Sequence, residues 1–370
     1  MEIVHVVLGK VNTHKMNGVN KVIDNLAKNQ TDLGHQVTIW GVTKNPVHNY
    51  PMRNYQTELF LNRSTFLLPK GLKNRLTEIS LGTVFHFHGG FIPQFFFIAM
   101  LLKNNGFSYV FTAHGSYNAV AMERSYWKKK LFVWLFDKAI VKHAKSLHFI
   151  GESEIEGAKK IFDFSKFELI PNGQRIVESQ ISKQRERKGA AIFGFCGRLD
   201  IKTKGLDLLL EGFAQYINQT GNKEVELWII GDGKERKRLD QLVLALGIAA
   251  QVVFLGSVFG EQKIELIRKF DFMMLTSRNE GLPGVVLEAA ALGIPSIVSK
   301  ETNMAAYLNK YNAGFVLEEN NSFHIQKSLK TATELIKNNK IEPIKIGAIK
   351  MVIAEFDWRV IASRVAKMYV

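Results

Sequence analysis

The sequence predicts two doubly wound α/β domains, each a parallel sheet with helices on both faces. Three observations carry this. Short β-branched runs alternate with segments of helical spacing along the whole chain. The alternation restarts after a polar, charged stretch at residues 178–189, which reads as a linker or junction loop. A length of 370 residues favours two cores over one.

The elements follow in order. Residues 3–8 are a β-branched first strand. Residues 18–28 then place Val22, Ile23, Leu26 and Ala27 at helical spacing. Gly34-His35 marks a turn, and residues 36–42, 83–87, 109–113 and 146–150 read as strands. After the junction, residues 191–196, 226–230, 252–255, 272–276, 296–298 and 314–316 read as strands separated by helical patterns. Ligands of such sheets bind at the carboxyl ends of the strands, so a cleft between the two domains is the expected site. Domain bounds are set at 1–170, 171–350 and a terminal helix at 351–370 that crosses back to the first domain.

Composition narrows the class. The single cysteine, Cys196, excludes an intramolecular disulfide and fits a reducing compartment. The first nine residues carry no basic n-region and read as a strand, not a signal peptide. The longest apolar stretch, residues 91–102, is interrupted by Pro93 and Gln94 and is too short to span a bilayer; it reads as a buried helix. A cytoplasmic protein, soluble or peripheral on the inner face of a membrane, is expected. Net charge is +15, and residues 1–150 hold 18 Lys and Arg against 7 Asp and Glu. Such a basic half points to an anionic partner, a leaflet or a polyphosphate. Lys and Arg are not interleaved with stacking aromatics on a recognisable module, which argues against nucleic acid. No Walker P-loop occurs and no G-x-G-x-x-G follows the first strand, so kinases and dehydrogenases fall away.

The most informative segment runs Glu280-Gly281-Leu282-Pro283-Gly284-Val285-Val286-Leu287-Glu288. It follows an apolar strand and opens a helical run, with Pro283 in the expected first turn. Free amides at a helix start, backed by the helix dipole, bind anions. One carboxylate before the helix and another two turns on are not needed for folding. Beside bound phosphates they suit sugar and ribose hydroxyls as acceptors.

Embedded in S-R-N-E-G-L-P-G-V-V-L-E-A-A-A-L-G-I-P, Glu280 and Glu288 resemble the signature of retaining GT-B glycosyltransferases, most closely glycosyltransferase family 4. Further pieces fall in that family's order. Phe195-Cys196-Gly197-Arg198-Leu199 with Lys204-Gly205-Leu206-Asp207-Leu208-Leu209 resembles its G-R-L…K-G-x-D-x-L-L element. Ile170-Pro171-Asn172-Gly173, Ile230-Gly231-Asp232-Gly233 and Phe254-Leu255-Gly256-Ser257-Val258 resemble three of its loops, and Phe356-Asp357-Trp358 resembles the entry to its terminal helix.

The resemblance implies a GT-B fold of two facing Rossmann-like domains. It implies transfer of a sugar from a nucleoside diphosphate sugar to an acceptor hydroxyl with retention, without a metal or other cofactor. Arg198 and Lys204 would face the donor diphosphate, a rigid fork and a mobile point charge. Glu288 would accept from the ribose hydroxyls. Glu280 would bind the transferred sugar, with the backbone of Gly281, Leu282, Gly284 and Val285 beside it, and Val258 would lie near the base. Gly231 and Gly233 are expected only to permit a tight turn. In the first domain Gly18, preceded by Asn17, would bring a loop close to the donor phosphate. Thr112-Ala113-His114-Gly115 resembles an H-G element whose histidine contacts the donor sugar, so His114 joins Glu280, Arg198 and Lys204 as a catalytic candidate.

Two features stand apart from the signature. His86-x-His88 ends a strand before Gly89-Gly90 and could suggest a metal, but no third ligand is evident, and a lining or packing role is expected. Residues 125–136, with Lys128, Lys129 and Lys130 among Tyr126, Trp127, Phe132, Trp134 and Phe136, read equally as an interfacial helix and as a core helix with a solvated lysine run. A lipid-linked or polysaccharide acceptor, as in bacterial surface-glycan assembly, would account for the basic first domain. The alternatives are another GT-B enzyme such as a nucleotide-sugar 2-epimerase, or a non-catalytic membrane-associated nucleotide-sugar-binding protein.

Overall fold

The structure, a computed structural model, describes residues 1–12, 18–48, 50, 52–118, 121–122, 125–175 and 189–370. Asn17 and the polar stretch 178–189, apart from Gly189, lie outside the described residues. The chain divides into unit 1, Met1–Gly173 with Trp358–Val370, and unit 2, Gln174–Asp357.

Unit 1 is a seven-stranded sheet in the order β3-β2-β1-β4-β5-β6-β7. The strands are β1 Glu2–Leu8, β2 Gln36–Thr43, β3 Gln56–Leu61, β4 Val84–His88, β5 Ser108–Thr112, β6 Ser146–Phe149 and β7 Phe167–Leu169. Every pairing is parallel, as the intervening helices require. Alternation along each strand splits the side chains between two faces. Val4, Val6, Phe85, Phe87, Tyr109 and Phe111 enter one core. Ile3, Val7, Val84 and Val110 face the other, with helix Gly18–Asp32 and the terminal helix Trp358–Lys367. His5, His86, His88, Thr112 and His148 fall at the same parity as that second set and form a buried polar layer within it.

The helix expected at residues 91–102 is Pro93–Asn104, with Phe95, Ile98, Ala99 and Leu102 buried. The core reading of residues 125–136 does not hold for its first half: helix Tyr126–Phe132 has no buried residue. The terminal helix begins at Trp358; residues 351–357 belong to unit 2. Among the described residues no helix is long and apolar enough to cross a membrane.

Unit 2 is a six-stranded parallel sheet in the order β10-β9-β8-β11-β12-β13. Its strands are β8 Ala191–Cys196, β9 Val225–Ile230, β10 Val252–Gly256, β11 Phe272–Leu275, β12 Ser296–Val298 and β13 Gly314–Val316. In both units the strand order reverses beside the first strand, at β1/β4 and at β8/β11. Loops diverge there, which leaves a crevice at the strands' carboxyl ends.

Candidate functional site

In unit 2 the loops after β8, β9 and β10 lock together by backbone. Gly197 N–H donates to Ile230 O at 2.9 Å, Leu199 N–H to Asp232 O at 3.1 Å and Gly231 N–H to Gly256 O at 2.7 Å. A Cβ on Gly231 would lie 1.9 Å from Gly197 O, and one on Gly233 would lie 2.4 Å from Leu199 O. These glycines therefore do more than permit a turn: their missing side chains let the Arg198 loop sit directly on the Asp232 loop. Arg198 itself is exposed, and among the described residues no ion pair holds its guanidinium.

Lys204 ends the short helix Ile201–Lys204, whose N-cap Asp200 accepts from Thr203 N–H at 3.2 Å. Its Nζ pairs with Glu280 Oε1, and the two side chains keep only 20% and 15% exposure. Ser277 Oγ donates to the same oxygen at 2.9 Å. The loop bearing Glu280 is built from several sides. Asn303 Nδ2 donates to Glu280 O at 2.7 Å and to Gly281 O at 2.9 Å. Glu280 N–H reaches Glu301 O at 3.0 Å, and Asn320 Nδ2 reaches Thr276 O at 3.0 Å. Arg278 grips Asp207 through two bonds of 2.9 and 2.8 Å, which ties this loop to the helix after Lys204.

Helix Gly284–Ala291 has Pro283 as its extended N-cap and not in the first turn, where it was expected. Gly281, Leu282 and Val285 are half-buried and Gly284 is exposed at that start. Glu288 lies on this helix and pairs with Lys263 at 2.5 Å, 23% exposed for the lysine and 34% for the glutamate. Burial raises the Cys196 thiol to about 11; the Lys263 ammonium pulls it down and the Glu288 carboxylate pushes it up. Val258 is half-buried after β10.

The unit 1 candidates are less uniform. Gly18 opens its helix with space where a Cβ would stand among the described residues, and the described residues of positive φ after β1 are Gly9, at 109°, and Val11, at 46°. Among the described residues of unit 1 no close contact requires glycine at 18. His114 follows β5 in left-handed backbone, φ 53°, a conformation that costs about 1–3 kcal/mol for a residue with a side chain. The buried Glu154 carboxylate holds this turn by accepting from Gly115 N–H and, at 3.1 Å, from Ile150 N–H. Burial raises the Glu154 pKa, opposed by those two amides. His114 Nε2 lies 3.0 Å from His88 Nδ1.

The third histidine that sequence spacing did not supply comes from β1. His5 is in register with His86, and ligand atoms of His5, His86 and His88 lie within 4.8 Å of one another, all buried. Every ring nitrogen of the three is already hydrogen-bonded. Ser277, Lys263, Asn303, Glu154 and His5 were not predicted. Lys263, Asn303 and His5 meet their partners only through the fold, whereas Ser277 opens the same S-R-N-E segment that carries Glu280 and could have been read from it.

Comparison with known proteins bears on the family and the fold. The family model for glycosyl transferases group 1 matches residues 177–343, and the model for Glycosyltransferase Family 4 matches residues 16–174. An uncharacterized glycosyltransferase of Methanocaldococcus jannaschii, MJ1178, is 21% identical across 100% of this chain and 99% of its own. HepE of Anabaena, solved in complex with UDP, superposes with a TM-score of 0.70 at 17% identity, covering 99% of both chains. The apo lipopolysaccharide outer core galactosyltransferase WaaB does so with 0.70 at 16% identity, covering 100% of this chain and 99% of that one. The fold is that of the GT-B proteins, two Rossmann-like parallel-sheet units. The class that fold and family matches support is glycosyltransferase, with the group 1 match confined to residues 177–343 and the Family 4 match to residues 16–174.

Proposed function

We propose that the chain moves a sugar from a nucleoside diphosphate sugar to an acceptor hydroxyl, with retention of configuration and without a metal. The observation that carries this is the paired Lys204 and Glu280 beside the start of helix Gly284–Ala291. A cation, a carboxylate and free helix amides meet there, and a diphosphate joined to a polyol satisfies all three. In this reading the diphosphate draws Lys204 from Glu280 and recruits Arg198. Glu280 then accepts from sugar hydroxyls and Glu288 from the ribose, while the half-buried Val258 flanks the base.

The step is a front-face displacement. The bond from the anomeric carbon to the phosphate oxygen breaks, and a bond to the acceptor oxygen forms on the same face. The acceptor proton passes to the leaving phosphate. Arg198, Lys204 and the helix amides stabilise the charge that develops there. UDP is the first nucleotide to try, because HepE was solved with it. A surface-glycan or lipid-linked acceptor is in keeping with the outer-core substrate of WaaB and the basic N-terminal half.

A thermal-shift screen of UDP, GDP and ADP tests the donor. One nucleotide should stabilise unit 2 selectively, by about 2.7 kcal/mol at one hundred times its Kd. No shift with any of the three would refute the site. Incubation of the sugar nucleotide alone separates the epimerase alternative, which turns over without acceptor. Activity should survive excess EDTA, because no Asp-x-Asp occurs in the chain and Arg198 and Lys204 supply the positive charge. Loss restored by Mn²⁺ would contradict the metal-free mechanism.

A further inference from the structure

We infer that a buried chain of hydrogen bonds with a single fixed polarity, anchored on the Ile170 carbonyl, sets the tautomer of His114 and leaves its Nδ1 as a bare acceptor for a hydroxyl. The direction follows from one group that has no choice. A carbonyl only accepts, so His148 Nε2, 2.8 Å from Ile170 O, carries the proton. His148 Nδ1 must then accept from Thr112 Oγ1 at 2.8 Å. That hydroxyl has one proton, so it accepts from His86 Nε2 at 2.6 Å. His86 Nδ1 is left to accept from the Tyr369 hydroxyl at 2.7 Å. Tyr369 in turn accepts from Gln30 Nε2 at 3.2 Å, which turns Gln30 Oε1 toward His5 Nε2 at 2.7 Å. His5 Nδ1 accepts from His88 Nε2 at 2.8 Å, and His88 Nδ1 accepts from His114 Nε2 at 3.0 Å. Eight bonds are satisfied with no clash, and the amide orientation of Gln30 agrees with the polarity read from Ile170.

All five imidazoles are neutral in this arrangement, each with its proton on Nε2. Burial enforces neutrality: it lowers His5 and His148 to about 4 and His114 to about 3, and pushes His86 and His88 well below the usual range. A second proton on His5, His86, His88 or His148 would break a link, whereas His114, whose Nδ1 makes none, is kept neutral by burial. The chain ends at His114, which is half-buried. Among the described residues nothing donates to its Nδ1. A neutral ring with a bare lone pair takes an O–H and repels a phosphate or carboxylate oxygen. His88 and its predecessors are thus positioning residues, and the group read by His114 is a hydroxyl. The link to a sugar hydroxyl rests on the proposed transferase activity; the tautomer does not.

Long-range proton–nitrogen spectra of the full chain with labelled histidine, at neutral pH and without ligand, test the tautomer. His5, His86, His88, His114 and His148 should each show an unprotonated Nδ1 and a slowly exchanging Nε2 proton, with coupling across the His5–His88 and His88–His114 hydrogen bonds. Tyr369→Phe removes one hydroxyl remote from His114. It should free Gln30 to turn and move the His114 nitrogens from fixed toward averaged positions, with the β1 and β4 amides unmoved. A protonated Nδ1 or an imidazolium at any of the five, or an unshifted His114 in Tyr369→Phe, would overturn the polarity. The hydroxyl is tested by kinetics with UDP-glucose. His114→Gln, which offers an acceptor oxygen, should keep about tenfold more kcat/KM than His114→Lys, which can only donate. Equal values, or a better lysine variant, would overturn the acceptor role. If no variant and no wild-type chain transfers sugar, the functional reading fails while the spectra still decide the polarity.

Discussion

At the scale of single residues, Lys204 and Glu280 are a mostly buried pair whose solvation has been given up before any ligand arrives. Taking two charges out of water costs several kcal/mol each, and the attraction between them only offsets this. A diphosphate and a polyol would let both keep strong partners, so the pair is poised for exchange. Arg198 is different: it is exposed, and among the described residues it has no ion pair. Arg198→Ala and Lys204→Ala should each lower turnover by about 10²-fold through lost stabilisation of the leaving phosphate. Only Lys204→Ala should also lower the melting temperature, because Glu280 then loses its buried cation. Turnover near wild type in Arg198→Ala, with the fold intact, would remove the diphosphate from this loop. Sequence motif singled out Arg198, Lys204, Glu280 and Glu288 as candidates. It did not place Lys263 opposite Glu288 or Asn303 under Glu280, since the pairs are separated by 25 and 23 positions.

At the scale of elements, the central strands were legible because both of their faces are buried. Phe272–Leu275 is buried at every position, and a continuous apolar run announces it. The strands that went unread, Gln56–Leu61 and Phe167–Leu169, include both ends of the seven-stranded sheet. Edge strands are half-solvated and short, so Gln56–Leu61 shows one buried residue, Phe60, and no clear alternation. The histidine layer was half legible. His86-x-His88 shows period two, but His5 joins them only through the β1–β4 register. That layer sets an acid limit. A histidine whose folded pKa is lowered contributes its full stability above about pH 6.5 and loses it as pH falls toward the folded value, about 1.4 kcal/mol per pH unit for each ring. Asp137 works the other way: burial raises it to about 6, so it gains relative stability between that value and its usual range near 4. Glu154 is raised too. Five histidines outweigh two carboxyls. Opening free energies of the β1 and β4 amides, from hydrogen exchange corrected for intrinsic rate, should fall by at least about 2 kcal/mol between pH 7 and pH 5. Values that stay level would show that the rings are not held neutral.

At the scale of the whole molecule, charge and exposed apolar surface coincide. The chain carries +15, and the excess is concentrated in residues 1–150. Within that half, helix Tyr126–Phe132 and the turn after it leave Trp127 76%, Leu131 58% and Trp134 68% exposed beside Lys128, Lys129 and Lys130. Lys130 Nζ stands 5.5 Å from the Trp127 ring centroid. The exposed Phe66 stacks on Phe136 at 6.1 Å, and Leu67 beside it is 62% exposed, so a second segment adds apolar surface to the same patch. Aromatic rings with lysines around them match the two layers of an anionic leaflet, acyl boundary and headgroup. The intact chain should co-sediment with vesicles containing anionic lipid more than with neutral ones, and salt should weaken the binding over a Debye length of about 8–10 Å. Replacing Lys128, Lys129 and Lys130 by Ser should remove roughly 3 kcal/mol at most. Trp127→Ser with Trp134→Ser should weaken binding even in low salt, because it removes the apolar share. Nucleotide binding to unit 2 should be untouched in both variants, which separates loss of the membrane face from loss of the fold. Equal partitioning onto neutral and anionic vesicles, or none onto either, would make the lysines a solvated helix face and leave the acceptor free to be a soluble glycan.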